Sequence, residues 1–496
     1  MAQSKTATHA PRMGLCMSFS MREFQDMQTL SPLWRSTFRS TVRIPPRLKG
    51  RPMNDPTALD TTGSLGCGDC SGDAGGDVHR SRQVSVPYYV KALAMALPAF
   101  CFGLTLRGWI DFLSHIPSGR TDFRHLYATA YMVRTGHGSE IYSYLAQKLF
   151  QNRLISPANL ALPFNHLAYE SLIFLPFSYL SYTHAYLLWL GLNLLMLGIC
   201  FFLLRSDLEP LRSAWLWLPI AAFVGFIPLS AAMEQGQDSI LLLTLLTVAY
   251  VSLRSGKELI AGLVLGMGMF KFQLVLPIVA LFLLWRKWRV VAGFTMAALT
   301  CISMSIVITG VEHFRDYGTM LMSMSSGLTD ELQTLYGVPP AQMANLRGLI
   351  FMLTDGHFSS LSQTIQILSA SLLVVFITAR FGPTESSDQL LLGVIVASLV
   401  SYHFLLHDMS ILFLPIAVML STNIEAETEG KGCRKWLFRS SAFLFAAMAW
   451  RMFPATIFFL MCVPLALFWI CSLSAGAARR SDCVVRSAAA SFASVA

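Results

Sequence analysis

The residues of this chain that could do chemistry are few and widely spaced. Asp122 stands in the run Thr121-Asp122-Phe123-Arg124-His125-Leu126-Tyr127, a carboxylate beside aromatic and basic side chains. A carboxylate so placed can take a proton from a hydroxyl held against it. Lys271 interrupts the apolar run from Ile260 to Trp285. An ammonium there is costly unless paired or wet, so it either meets an anion or reaches back to a lipid headgroup. His403 and His407 are spaced i, i+4 and precede Asp408. Metal ligands take that spacing, and so do ordinary polar residues at the end of an apolar segment. Cys67 and Cys70, in Gly-Cys-Gly-Asp-Cys, have metal-like spacing but no second pair nearby, and other cysteines lie inside apolar runs. Neither a metal set nor a disulfide framework is expected.

The elements that must position these residues are apolar helices. The chain has 496 residues, is 54% hydrophobic and 13% charged, and has a mean hydropathy of +0.54. Repeated apolar runs of membrane-spanning length are separated by short basic loops, and no period-2 alternation of a β-barrel appears. The expected fold is an all-α polytopic membrane protein with about ten to twelve transmembrane helices. Residues 1–86, rich in Arg, Ser, Pro and Gly, read as a disordered basic cytoplasmic tail. Residues 87–475 form the multi-spanning domain, and 476–496 a cytoplasmic C-terminal tail. The net charge of +9 sits at segment ends and in the N-terminal tail, where it sets topology and meets anionic headgroups. Nucleic acid is not an expected partner.

Counting basic loops as cytoplasmic gives a specific topology. The first span covers about Tyr88 to Asp111, the run Tyr169–Tyr182 stays in the interface, and Thr183–Leu204 crosses. Trp215–Ala232 and Ser239–Leu253 follow, joined by Glu234-Gln235-Gly236-Gln237-Asp238. The segment Ile260–Trp285 has basic residues at both ends, so it should be a broken hairpin bent near Phe270-Lys271. Val290–Thr309, Ser362–Ala379, Leu390–Leu406, Ser410–Thr422, Ser440–Met452 and Ala455–Leu473 complete the set. Both termini then lie in the cytoplasm of a plasma (inner) membrane protein. Asp122, Glu234, Asp238, Lys271, Asn345, His403, His407 and Asp408 fall at the external face.

Several motifs occur in an order that resembles glycosyltransferase family 87. Asp122-Phe123-Arg124-His125-Leu126-Tyr127-Ala128-Thr129-Ala130, followed by Gly136 and Ile141-Tyr142, is similar to the family's Asp-Phe-x-x-Tyr-x-Ala-Ala stretch. Leu162-Pro163-Phe164-Asn165-His166 through Leu175-Pro176-Phe177, and Ala185 to Trp189 and Asn193, look like its Tyr-Pro-Pro, Pro-Leu and Ala-x-x-x-Trp region. Gly236-Gln237 before a span, Ala261-Gly262-Leu263 leading to Lys271 and Pro277, and Asn345-Leu346-Arg347-Gly348-Leu349 resemble later blocks. Leu162 and Phe164 replace the Tyr and second Pro, and Arg347 stands where a Ser is the rule.

The resemblance implies a C-type membrane hexosyltransferase, of the mannosyltransferase kind. It would carry a sugar from a polyprenyl-phosphate donor to a lipid or glycan acceptor on the external face, among membrane lipids. Phosphate is already a good leaving group, so such a reaction needs a base for the acceptor hydroxyl and cations or dipoles for the phosphate. The family implies the base role for Asp122. Lys271, Arg347, His403 and His407 are the candidates for the phosphate, with Gln237, Asn345 and Tyr127 as further substrate contacts. Tyr127 and Tyr131, also i, i+4, could instead pack at the interface. Single displacement at a β-linked donor inverts, whereas retention would want a second carboxylate such as Glu234 or Asp238. No cofactor is expected, and a divalent cation is compatible but not indicated. A transporter or flippase is the alternative from another class, and a membrane scaffold a third.

Overall fold

The computed structural model describes residues 121–158, 161–209, 226–326, 343–353, 360–383 and 385–418, with isolated positions from 96 to 119 and at 421. The tails, Cys67 and Cys70, most of the first span, and the segments expected at 440–452 and 455–473 lie outside the described residues. Among the described residues the regular structure is helical, with no strand. By length and composition alone, Tyr182–Leu203, Glu258–Leu284 and Trp288–Thr309 suffice to cross a membrane, although the second is bent, and four shorter apolar helices accompany them. The chain is an all-α membrane protein.

Three elements build the region before the first long helix. α1 is Phe123–Arg134, α2 is Tyr144–Leu154 and α3 is Glu170–Phe174, the last running into a 3-10 turn at Leu175–Tyr179 that contains Pro176. Ser143 starts α2 by accepting from the amide of Ala146 at 3.4 Å, satisfying one of the free N–H groups of a helix start. Arg124 on α1 stands beside the expected membrane boundary, where a basic side chain ordinarily meets headgroups. It is instead 4% exposed and ties three segments together, donating to Gln151 at 3.2 Å, Asn152 at 3.0 Å and both Ser156 oxygens. The same burial lowers its pKa.

α4 (Tyr182–Leu203) packs beside α5 (Ile227–Gln235) and α6 (Ser239–Arg254). The expected helix Trp215–Ala232 extends later than its sequence boundary, so Glu234 and Gln235 belong to the helix; residues 210–225 are outside the described set. α5 ends at Gly236, whose left-handed conformation (φ 64°) is open to glycine and strained for other residues. A Cβ there would also stand 2.7 Å from Cβ of Phe123. The last carbonyls of α5 are taken by α4. Tyr186 donates to Met233 and Glu234 at 2.9 and 3.0 Å, and the Trp189 indole donates to Gly236 at 3.0 Å.

The hairpin is the clearest agreement between pattern and structure. α7 (Glu258–Met267), a 3-10 turn at Gly268–Lys271 and α8 (Phe272–Leu284) form one helical stretch, but not a straight rod. Lys287 Nζ lies 3.5 Å from Glu258 Oε1, which brings the beginning of the stretch back to its end. α9 (Trp288–Thr309) meets α7 in the same direction. A Cβ on Gly262 would fall 2.0 Å from the Val290 carbonyl, and one on Gly266 would fall 2.7 Å from that of Phe294. Two neighbours that run parallel need the arm between them to run back. The close glycine contacts let the backbones approach, as small residues do at membrane helix interfaces. Arms of 10 and 13 residues reach only about 15–20 Å at 1.5 Å per residue.

α10 (Val311–Ser326) occupies what the hydropathy pattern marks as loop, and α11 (Leu346–Leu353) and α12 (Ser360–Phe381) follow. α13 spans Ser386–Val400, with Gln389 through Leu399 all buried. The sequence expectation carried this helix to Leu406, but it stops at Val400 and residues 401–407 leave the helical path before the 3-10 turn Asp408–Leu412. His403 and His407 therefore do not share a helix face. One end of the bundle gathers the basic loops. Arg254 pairs with Asp207, Ser386 donates to Glu258 at 3.0 Å, and Trp285 donates to Ala379 at 3.2 Å. The other end gathers the chemistry.

Candidate functional site

Asp122 lies at this second end, at the start of α1, and is held there by its neighbours. Phe123 is fully buried among the rings of Tyr127, Phe174, Phe177, Tyr182 and Tyr186, with centroid separations of 5.7–6.4 Å. Thr121 shares a 2.7 Å hydrogen bond with the Tyr182 hydroxyl. These contacts clamp the residues on both sides of Asp122 and leave its own side chain partly exposed. Asp122 occupies the N-cap position of α1, yet its carboxylate makes no capping bond. Its Oδ2 accepts a hydrogen bond from Gln237 Nε2 at 2.5 Å. Gln237 is 6% exposed and directly follows the Gly236 turn. The left-handed end of α5 thus aims the amide at the carboxylate.

The next residue, Asp238, points the other way. It is fully buried and pairs with Lys271 Nζ through Oδ1 at 3.0 Å. Lys271 is 2% exposed, so it does not reach a headgroup. Its ammonium also meets Asp408 Oδ1 at 2.5 Å and Ser239 Oγ at 2.9 Å. Ser239 donates in turn to Asp408 at 3.2 Å, and the Leu405 amide donates to Asp408 Oδ2 at 3.1 Å. One lysine at the hairpin bend therefore joins the start of α6 to the turn after α13. Its ammonium donates to Asp408 and Ser239 and is ion-paired with Asp238, an arrangement that compensates the cost of burying the charge.

The remaining sequence candidates divide. Asn345 is fully buried, donates to the Ser401 carbonyl at 2.7 Å and accepts from the Gly348 amide at 3.1 Å. It staples the 401–407 segment to the start of α11. Arg347 is half-buried, with its guanidinium over the Tyr402 ring at 3.9 Å and one N–H directed to the Tyr402 carbonyl at 3.3 Å. His407 Nε2 is 3.5 Å from Asp408 Oδ2, and His403 lies half-buried on the same segment. Tyr127 donates to the Leu180 carbonyl at 2.8 Å and packs edge-on to Tyr182, which is the packing role weighed for it. The structure thus brings Asp122 together with Gln237, and Lys271 together with Asp408 beside His407. Arg347, on α11, packs against Tyr402 of the 401–407 segment.

Three residues join this end that the sequence argument did not single out as ligands. His166 Nδ1 is bonded to Glu170 Oε2 and stands 3.4 Å from Asp238 Oδ2. His125 packs edge-on to His166 at a centroid distance of 5.7 Å. Burial pushes the His125 imidazole down to about 3, and the neighbouring His166 adds to this, so it is neutral near pH 7. Burial also disfavours charge on His166, but the carboxylates of Glu170 and Asp238 outweigh it and raise its pKa. The signal available in the sequence was the spacing His166-x-x-x-Glu170; His166 lies in the bend just before α3, and Glu170 opens that helix.

The model of glycosyltransferase family 87 matches residues 170–406, in agreement with the resemblance carried by the motifs. The matched stretch takes in Gln237, Asp238, Lys271, Asn345, Arg347 and His403, while Asp122 precedes it and His407 and Asp408 follow it. No curated protein and no solved structure matches the chain. A match to this family implies a membrane glycosyltransferase, with a sugar donor and an acceptor as its substrates.

Proposed function

We propose, with a family 87 membrane glycosyltransferase as the premise, that the chain is a hexosyltransferase of the mannosyltransferase kind. It takes its sugar from a polyprenyl phosphate at the external face of an inner (plasma) membrane and passes it to a lipid or glycan hydroxyl. Both termini are cytoplasmic in this reading. The observation that carries it is the state of Asp122. Its carboxylate is partly exposed, is not spent on a helix cap, and is oriented through Oδ2 by the Gln237 amide. Oδ1 is then free to accept the proton of an acceptor hydroxyl as the sugar carbon is attacked. The phosphate leaves with the electron pair of the broken bond, and the configuration inverts. Asp238 offers no comparable nucleophile for retention, because it is buried and paired with Lys271.

For the phosphate, Arg347 is the better candidate than Lys271. Lys271 is buried and already paired with two carboxylates, whereas Arg347 is half-buried and carries a fork that can bind phosphate oxygens in pairs. His403 and His407 flank the same segment and complete the polar set. The test is transfer by the purified protein from radiolabelled polyprenyl-phosphate mannose. Asp122→Asn and Asp122→Ala are expected to lose transfer while keeping the unfolding temperature of the parent. Transfer retained by both variants would remove the base assignment. A parent that moves no sugar from any lipid-phosphate donor, but carries a lipid-linked substrate across vesicles, would favour the transporter.

A further inference from the structure

Next to the Asp122–Gln237 pair lies a group of side chains that the transfer described above does not use. His166, Glu170 and Asp238 each offer one ligand atom, and these atoms lie within 4.8 Å of one another. All three residues are buried, Glu170 and Asp238 completely and His166 to 7% exposure. An acidic group alone would say little, because carboxylates and histidines often satisfy one another. Two further observations separate this one. His125 is 6% exposed, stands edge-on to His166, and both its ring nitrogens are buried without a hydrogen-bond partner. Oε1 of Glu170 is buried and unpartnered as well. A neutral imidazole carries one N–H and one lone pair, and leaving both unused inside a protein is unusual.

Charge points in the same direction. The buried carboxylates of Asp238, Asp408 and Glu170 meet one buried ammonium, that of Lys271. Three buried carboxylates against one ammonium favour a further positive charge in a low-dielectric interior, as a metal ion or as protons. One separation fits as well. Ligand bonds of about 2.0–2.1 Å place the corners of a tetrahedron about 3.3–3.4 Å apart. The separation of His166 Nδ1 from Asp238 Oδ2 is 3.4 Å. Oδ1 of Asp238 is the oxygen used by Lys271, so Oδ2 is the one left for an ion.

The geometry points to a divalent transition-metal site, of the zinc or manganese type, held by His166, Glu170 and Asp238, with His125 packed beside it. One imidazole and two carboxylates suit a borderline ion. Magnesium and calcium favour all-oxygen shells, and soft copper(I) favours sulfur. Because Asp238 follows Gln237, the ion would fix the turn that holds Asp122 and act as a positioning device rather than a reactant. This reading stands apart from the identity of the sugar donor and would survive its failure.

The experiment uses the full chain in detergent and does not require activity. Metal content is measured by mass spectrometry. Chelator-stripped protein is then titrated with zinc chloride and with manganese chloride, reading bound stoichiometry and unfolding temperature. One tightly held ion per chain is expected, with an unfolding temperature that falls on stripping and recovers on addition of the ion. His166→Gln and Glu170→Gln are expected to lose the ion, and His125→Phe to bind it about 10–100-fold more weakly. A parent that holds no ion and is indifferent to chelator would overturn the site. Glu170→Gln at least as stable as the parent would then show that protons balance the cluster. Retention of the parent's ion by both His166→Gln and Glu170→Gln would overturn the ligand set.

Discussion

Asp122 and Asp238 are the same residue type at the same end of the bundle, joined through one side chain and one peptide bond, yet their surroundings differ in every respect. Asp122 is partly exposed and accepts one hydrogen bond from a neutral amide. Asp238 is fully buried, faces an ammonium at 3.0 Å and has an imidazole 3.4 Å away. A carboxylate held by a buried cation serves the architecture, since moving or protonating it strands the cation. A carboxylate with a free oxygen beside solvent can take a proton and release it. The Gly236 turn separates the two roles by sending consecutive side chains in opposite directions.

Breaking each half of the comparison should give a different kind of loss. The largest effect expected is on transfer. Asp122→Asn should lower it by about 10²–10⁴-fold, the usual range for a positioned general base, without a change in unfolding temperature. A stability loss in this variant would place Asp122 with the architectural group. On the other side, Lys271→Met should lower stability by about 3–5 kcal/mol, because it leaves Asp238 and Asp408 buried without their cation. Detergent unfolding measures this, and Lys271→Met/Asp408→Asn should recover part of the loss. Indifference of Lys271→Met would mean that the pair is not the pin described here.

Two smaller effects sharpen the boundary. Gln237→Leu removes the donor that orients Asp122, a hydrogen bond to a charged group that contributes about 1.5–3 kcal/mol. Transfer should fall by roughly 10–100-fold, carried by kcat rather than by KM. A change in KM alone would instead make Gln237 a donor-sugar contact. Arg347→Lys keeps the charge and loses the fork, so it should raise KM for the lipid-phosphate donor by about tenfold and leave kcat and stability near the parent's. No change in KM would return the phosphate to His403 and His407.

How much of this could be read from the sequence varies with the distance over which the deciding contacts act. Helix positions follow from contiguous apolar residues, and the hairpin at Lys271 follows from basic flanks on both sides of one apolar run. Both are local sums. The boundary of α13 did not follow, because Ser401 to Leu406 are apolar enough to continue a helix. Asn345 draws the Ser401 carbonyl into a tertiary bond instead. The burial of Arg124 is not legible locally either, because its partners, Gln151, Asn152 and Ser156, lie on another segment.

By itself the sequence determined a helical membrane chain, the bend that carries Lys271, the end of the bundle where its polar residues gather, and the family whose motifs it resembles. Hydrophobicity and charge bias act residue by residue along the chain, so they survive without a structure. Only the tertiary structure decided which acids take the lysine, since Lys271 and Asp408 are 137 residues apart. It also decided that Asn345 is spent on backbone, that His166 and Glu170 converge on Asp238 with His125 beside them, and that Asp122 is left with a free oxygen. Which polar atoms remain unsatisfied depends on how helices pack against one another, and no local pattern encodes that packing.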